Sequence, residues 1–107
     1  FVEAHPEVLK KCLTLNADAV EIHTGEYAKD FLAKKDLSHH LALYREGRKI
    51  IKSAEWGYHA GHGLTLESLQ PLLAEKQFEE YNIGHWIIAE SLFLGLGPVV
   101  QEMLTLM

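Results

Sequence analysis

Three short stretches, at residues 19–25, 57–65 and 80–85, each carry a strand-like run closing on glycine and histidine, and helical segments separate them. Strands alternating with helices argue for parallel βαβ units, because a parallel neighbour is reached only through a long crossover. In Ala19–His23, Val20 and Ile22 share one face while Ala19, Glu21 and His23 share the other. One apolar face and one face bearing a carboxylate and an imidazole is how a barrel strand divides between its helix side and its interior. Polar groups recur where the strands end: Glu21, His23 and Thr24, then His62 and Gly63, then Gly84 and His85. Open α/β sheets and (β/α)8 barrels both place their sites at those ends.

The densest of the three is Gly57-Tyr58-His59-Ala60-Gly61-His62-Gly63-Leu64-Thr65. Glycine lacks a Cβ and lets backbone N–H groups come close to a ligand. Histidine is the side chain whose ordinary titration falls near neutral pH. A strand that ends in such a loop and feeds a helix sets a proton donor beside bare amides. That combination suits a phosphorylated small molecule undergoing proton transfer.

In chain order, Phe1–Ala4 reads as the tail of a strand, and Pro6 opens a helix with Val8, Leu9, Cys12 and Leu13 as its stripe. Asn16 is its expected stop. After the strand Ala19–His23, Thr24–Tyr27 reads as an exit loop and Lys29–Asp36 as a polar loop. The longest helix is predicted over Leu37–Ala54, with Leu41, Tyr44, Ile50, Ile51 and Ala54 buried. On it, Gly47 weakens continuity, and Arg45, Glu46, Arg48 and Lys49 form a solvated face. A helix from Ser68 to Ala74 takes Ser68 as N-cap and Pro71 in its first turn. Glu80–His85 is the last strand, Trp86–Leu94 a short helix, and Pro98 starts a closing helix. Cys12 reads as an inert buried thiol, and Tyr44, Trp56 and Trp86 as core or interface residues.

A length of 107 residues allows one domain at most. The net charge of −5 and the lack of a basic tract argue against nucleic acid as a partner. No apolar run approaches the roughly 20 residues of a membrane span. With Cys12 as the only cysteine, no internal disulfide can form, and a reducing, cytoplasmic setting fits best. The opening Phe1-Val2-Glu3-Ala4 has neither an initiator Met nor a signal-peptide pattern, so the chain reads as a piece of something larger.

Three motifs carry a resemblance. Glu21-Ile22-His23-Thr24-Gly25-x-Tyr27-Ala28, His59-Ala60-Gly61-His62-Gly63-Leu64-Thr65 and Asn82-Ile83-Gly84-His85-x-Ile87-Ile88-Ala89 resemble those of the pyridoxine 5′-phosphate synthase family, in its order and near its spacing. The closing run from Gly95 through Glu102 to Met107 is similar to the end of that family's chains. The resemblance implies an α/β fold: residues 1–107 as the C-terminal half of a single (β/α)8 TIM-barrel domain, with an extra helix at the C-terminus. It also implies a homo-octamer, and neither metal nor organic cofactor. The reaction implied is a transferase-class ring closure. It joins 3-amino-2-oxopropyl phosphate to 1-deoxy-D-xylulose 5-phosphate and yields pyridoxine 5′-phosphate, phosphate and water. By the same resemblance His62 is a proton donor, Glu21 stabilises charge in the transition state, and Gly63, Gly84 and His85 hold substrate phosphate. The sequence departs from the family at His59, where Asn is usual, and at Trp86, where a small residue is usual. The motifs of the family's first half have no counterpart in it.

Each site has a plainer reading. His62 alone could be a structural histidine hydrogen-bonded to a neighbouring loop. Glu21 between Val20 and Ile22 would be a costly interior carboxylate unless paired or used, and an interior salt bridge would serve. His23 reads as packing, and the glycines of both loops could simply be turn residues. His59 and His62, at i and i+3 on a strand, face opposite ways and make a poor chelate; His39-His40 sits on an exposed polar helix. Two further functions stay open: a non-catalytic phosphate-binding half-barrel, and another sugar-phosphate barrel enzyme. The lysines all fall in helices or loops, which counts against a Schiff-base aldolase.

Overall fold

The computed structural model describes residues 1–107. Its elements run α1 (Pro6–Cys12), β1 (Ala19–His23), α2 (Gly25–Leu32), α3 (Ser38–Lys52), β2 (Gly57–Gly61), α4 (Leu66–Glu75), β3 (Glu80–Asn82), α5 (His85–Leu94) and α6 (Leu96–Leu106). The three strands form one parallel sheet in the order β1-β2-β3. Val2 makes an isolated parallel bridge to Ile22, so the expected leading strand is a single bridge beside β1. No helix is long and apolar enough to cross a membrane.

Parallel register sorts the side chains into rows. Val20 stands beside Tyr58, and Ile22 beside Ala60 and then Tyr81; this is the apolar face that packs on the helices. On the opposite face one row holds Glu21, His59 and Glu80, and the next holds His23, Gly61 and Asn82. The core cluster gathers Leu9, Val20, Ile22, Tyr27, Tyr44, Ile51, Tyr58, Leu69 and Leu72, all nearly inaccessible. Burial pushes the hydroxyls of Tyr27, Tyr44 and Tyr58 well above their ordinary range, and that of Tyr81 up to about 12. They therefore serve as neutral donors, with Tyr27 reaching the Ser68 carbonyl at 2.6 Å and Tyr58 the Tyr44 carbonyl at 2.9 Å.

At the strands' N-terminal side, Glu79 staples α3 to the sheet. It accepts from the Tyr58 amide at 2.5 Å and pairs with Lys52 and, at 3.6 Å, with Arg48. Burial works to raise the Glu79 carboxyl, but the Lys52 hydrogen bond, the Tyr58 amide and the two cations outweigh it and hold it below the usual range. Arg48 also donates to the Gln77 carbonyl, and Arg45 reaches Glu75 at 2.9 Å. The charged face of α3 is thus a seam to the segment around α4 and β3 as well as a solvated surface.

Several boundaries differ from the sequence expectation. The exit loop and polar loop expected at 24–36 contain α2, because Tyr27 and Phe31, four apart, form an inward face that the Lys and Asp residues around them obscure. α1 ends at Cys12, before Asn16. α3 stops at Lys52, leaving Ala54 exposed. The N-cap of α4 is Thr65, which accepts from the Ser68 amide while the Ser68 hydroxyl accepts from the Thr65 amide; Pro71 falls in the second turn. β3 ends at Asn82, and His85 is the first residue of α5. α6 begins at Leu96, before Pro98. Cys12 is half-buried, and His40 is not on an open face: its ring bonds Asp30 at 2.7 Å. That bond, with Lys35 nearby, holds the Asp30 carboxyl below its ordinary range.

Gly47 does not interrupt α3. A Cβ there would collide with the Tyr58 hydroxyl and stand 2.9 Å from Leu9 Cδ1. Gly47→Ala gains helix propensity of about 1 kcal/mol but overpacks this contact, at about 1–3 kcal/mol. We expect a net loss of stability in urea unfolding, and a smaller loss when Tyr58→Phe removes the obstructing oxygen; a stabilised Gly47→Ala variant would contradict the packing described.

Candidate active site

The C-terminal ends of the strands open onto a cavity of about 580 Å³. Its lining includes all five residues singled out in the sequence: Glu21, His62, Gly63, Gly84 and His85. Parallel strands all point the same way, so residues far apart in sequence meet at one rim. Asn82 also lines it, as do Phe1 and Trp86.

Glu21 leaves its own row and bends over Gly61. A Cβ at Gly61 would lie 2.5 Å from Glu21 Oε2 and 3.1 Å from the Asn82 carbonyl, so the carboxylate fills the space that glycine leaves. Asn82 Nδ2 donates to Glu21 Oε1 at 2.7 Å. No lysine, arginine or histidine pairs with Glu21 among the ion pairs of the chain. A carboxylate oriented by a neutral amide keeps its charge available to a ligand.

His62 follows β2 with φ +88°, and Gly63 follows with φ +75°. Left-handed backbone is ordinary for glycine but costs a histidine about 1–3 kcal/mol. The turn is held from β1: the buried Thr24 hydroxyl lies 2.8 Å from the Gly61 carbonyl and 2.9 Å from that of His62, sharing its proton between them. At Gly63 a Cβ would also crowd Ala28 of α2 at 3.1 Å. His62 and Gly63 are both exposed, so the loop presents its backbone to solvent.

Gly84 is the N-cap of α5, and no side chain caps that helix. The first N–H groups of a helix have no partner within it and attract anions. A Cβ at Gly84 would meet nothing within 4 Å, so no protein neighbour requires glycine here; its smallness leaves the approach to the α5 amides open. His85 is exposed at the first position of that helix, and Trp86 beside it is half-buried against the core.

Sequence reasoning passed over Asn82, and it placed Thr24 and His23 at the strand end while giving Thr24 no role and reading His23 as packing. Asn82 orients Glu21, Thr24 ties the His62 turn to β1, and His23 stacks on His62 with ring centroids 4.5 Å apart. A signal for Asn82 was its position two after Glu80 on the polar face. Thr24 gave none, since its role depends on the partner strand. His59 lies in the deeper row beside Glu80, at 3.9 Å, and no group of three or more His, Cys, Asp or Glu residues is arranged to hold a metal ion.

Residues 1–107 match the family described as pyridoxal phosphate biosynthesis protein PdxJ. The chain belongs to this family. Among curated relatives, a pyridoxine 5′-phosphate synthase of Zymomonas mobilis is 36% identical over 107 residues, covering 100% of this chain and 41% of the relative. One from Trichlorobacter lovleyi is 40% identical over 106 residues, covering 99% and 44%. One from a Sulfurihydrogenibium species is 38% identical over 103 residues, covering 96% and 42%. The chain thus spans less than half the length of these PdxJ-family relatives.

The Glu21–Gly61 contact can be tested by a double-mutant cycle. Gly61→Ala should cost about 1–3 kcal/mol by overpacking, and much of that cost should vanish when Glu21→Ala removes the carboxylate. Strictly additive losses in denaturant unfolding would show that the two positions do not touch.

Proposed function

We propose that this chain supplies the C-terminal half of a single (β/α)8 barrel domain that closes the pyridoxine ring. The enzyme condenses 3-amino-2-oxopropyl phosphate with 1-deoxy-D-xylulose 5-phosphate and releases pyridoxine 5′-phosphate, phosphate and water. The observation that carries this reading is the meeting of Glu21, His62, Gly63, Gly84 and His85 around one cavity at the strands' C-terminal ends.

The half-barrel is supported by what the sheet leaves open. β3 pairs only with β2, and the segment beside β1 is held by one bridge, so both edges are free to continue. On the face away from the core, Glu21 and His59 are only partly buried and Glu80 is exposed. α5 is mostly apolar yet buries no residue completely; Leu92 and Phe93 are 80% and 85% exposed. The greater length of the relatives leaves ample chain to cover these surfaces.

In the mechanism, His62 acts as the acid that protonates a departing or carbonyl oxygen. Glu21, oriented by Asn82, stabilises positive charge developing on iminium-like intermediates. The Gly63 amide and those at the start of α5, Gly84 and His85, grip the substrate phosphate, so that positioning is part of the catalysis. No metal or organic cofactor takes part. No lysine lines the cavity, which disfavours a Schiff-base aldolase. The same reading makes the protein a transferase-class, cytoplasmic enzyme assembled as a homo-octamer.

Co-expressing this chain with the part of the Zymomonas mobilis relative that it does not match should restore ring formation from the two phosphorylated substrates. In that assembly His62→Asn should lower turnover by about 10²–10⁴-fold while sparing affinity for the phosphate. Unchanged turnover would remove His62 from the mechanism.

A further inference from the structure

We infer that His23, seated on Gly25, is a positioning residue for His62: the His23-Thr24-Gly25 corner of β1 is a cradle that holds the catalytic imidazole of the neighbouring strand. The inference deepens the reading above, since it takes His62 as the proton donor.

The register sets His23 beside Gly61, the last residue of β2. The following residue, His62, lays its own ring on that of His23, over Gly25. The planes lie 25° from parallel with centroids 4.5 Å apart. Phe1 closes the outer side of His23 edge-on at 4.7 Å.

The His23 ring is itself fixed. The Gly25 amide donates to its Nδ1 at 3.2 Å. With Nδ1 accepting, the neutral ring carries its proton on Nε2. Gly25 is the floor under both rings: a Cβ there would collide with the His23 ring and come within 3.1 Å of His62 Cδ2. The corner therefore acts on His62 in two ways. Thr24 ties down its carbonyl, and His23 restricts its ring to one plane. A histidine in left-handed backbone and exposed to solvent would otherwise sample several rotamers, and a donor misplaced by about 1 Å can lose about 10²-fold in rate.

The test uses the assembly co-expressed with the unmatched part of the Zymomonas mobilis relative. His23→Ala should lower kcat by about 10–100-fold and leave KM for the amino-ketone phosphate unchanged, since the phosphate is held elsewhere. His23→Phe, which keeps a ring to stack on, should recover part of that loss. Gly25→Ala should behave like His23→Ala. An imidazole ¹⁵N–¹H spectrum of the unsubstituted assembly should show His23 protonated on Nε2, a readout that needs no turnover. Wild-type kcat in His23→Ala, or a His23 proton on Nδ1, would overturn the inference. If the unsubstituted assembly forms no ring product, the functional reading fails, and the spectrum still decides whether the His23–His62 cradle exists.

Discussion

Parallel pairing of β1, β2 and β3 is the constraint on which everything else rests. It makes every strand end at the same rim, and it makes position in the register decide which side chains are neighbours. The row of His23, Gly61 and Asn82 has an imidazole on one side, an amide on the other and nothing between them. Into that gap comes the Glu21 carboxylate from the row below, while the His62 ring, from the residue after, lies on His23 above Gly25. The absent Cβ at Gly61 thus lets the Glu21 carboxylate reach the cavity that His62 also lines.

The electrostatics of the rim follow from what is left unpaired. Ion pairs gather at the opposite side of the sheet, where Glu79 joins Lys52 and Arg48. At the cavity Glu21 has a neutral partner, the first amides of α5 have no cap, and His62 stands in a backbone conformation held by Thr24. Ion pairs are concentrated below and unpaired polar groups above, the division expected of strand-end sites. The ring-closing chemistry proposed for this PdxJ-family chain would use that division.

Much of this was legible in the residues. The alternation of Val20 and Ile22 with Glu21 and His23 gave the two faces of β1, and the three glycine-histidine corners gave the rim. What escaped reading depended on partners distant in sequence. α2 was hidden because its first residue is Gly25 and its N-cap, Thr24, spends its hydroxyl on the carbonyls of Gly61 and His62 instead of capping the helix. The helical pair Tyr27 and Phe31 was outweighed by the charges between and after it. Gly47 looked like a helix breaker because the Tyr58 hydroxyl that needs its space comes from another element. Asn82 shows locally only that it shares the face of Glu80, and His23 only that it ends β1; the parallel register decides which groups they meet.

The central claim is that the amides following β2 and β3 form one phosphate grip beside Glu21 and His62. Its most direct test is a titration of the ¹⁵N-labelled assembly with inorganic phosphate, followed through backbone amide shifts. The account predicts that the Gly63, Gly84 and His85 amides move together along a single binding curve. Independent curves for the two loops, or shifts confined to other parts of the molecule, would contradict it.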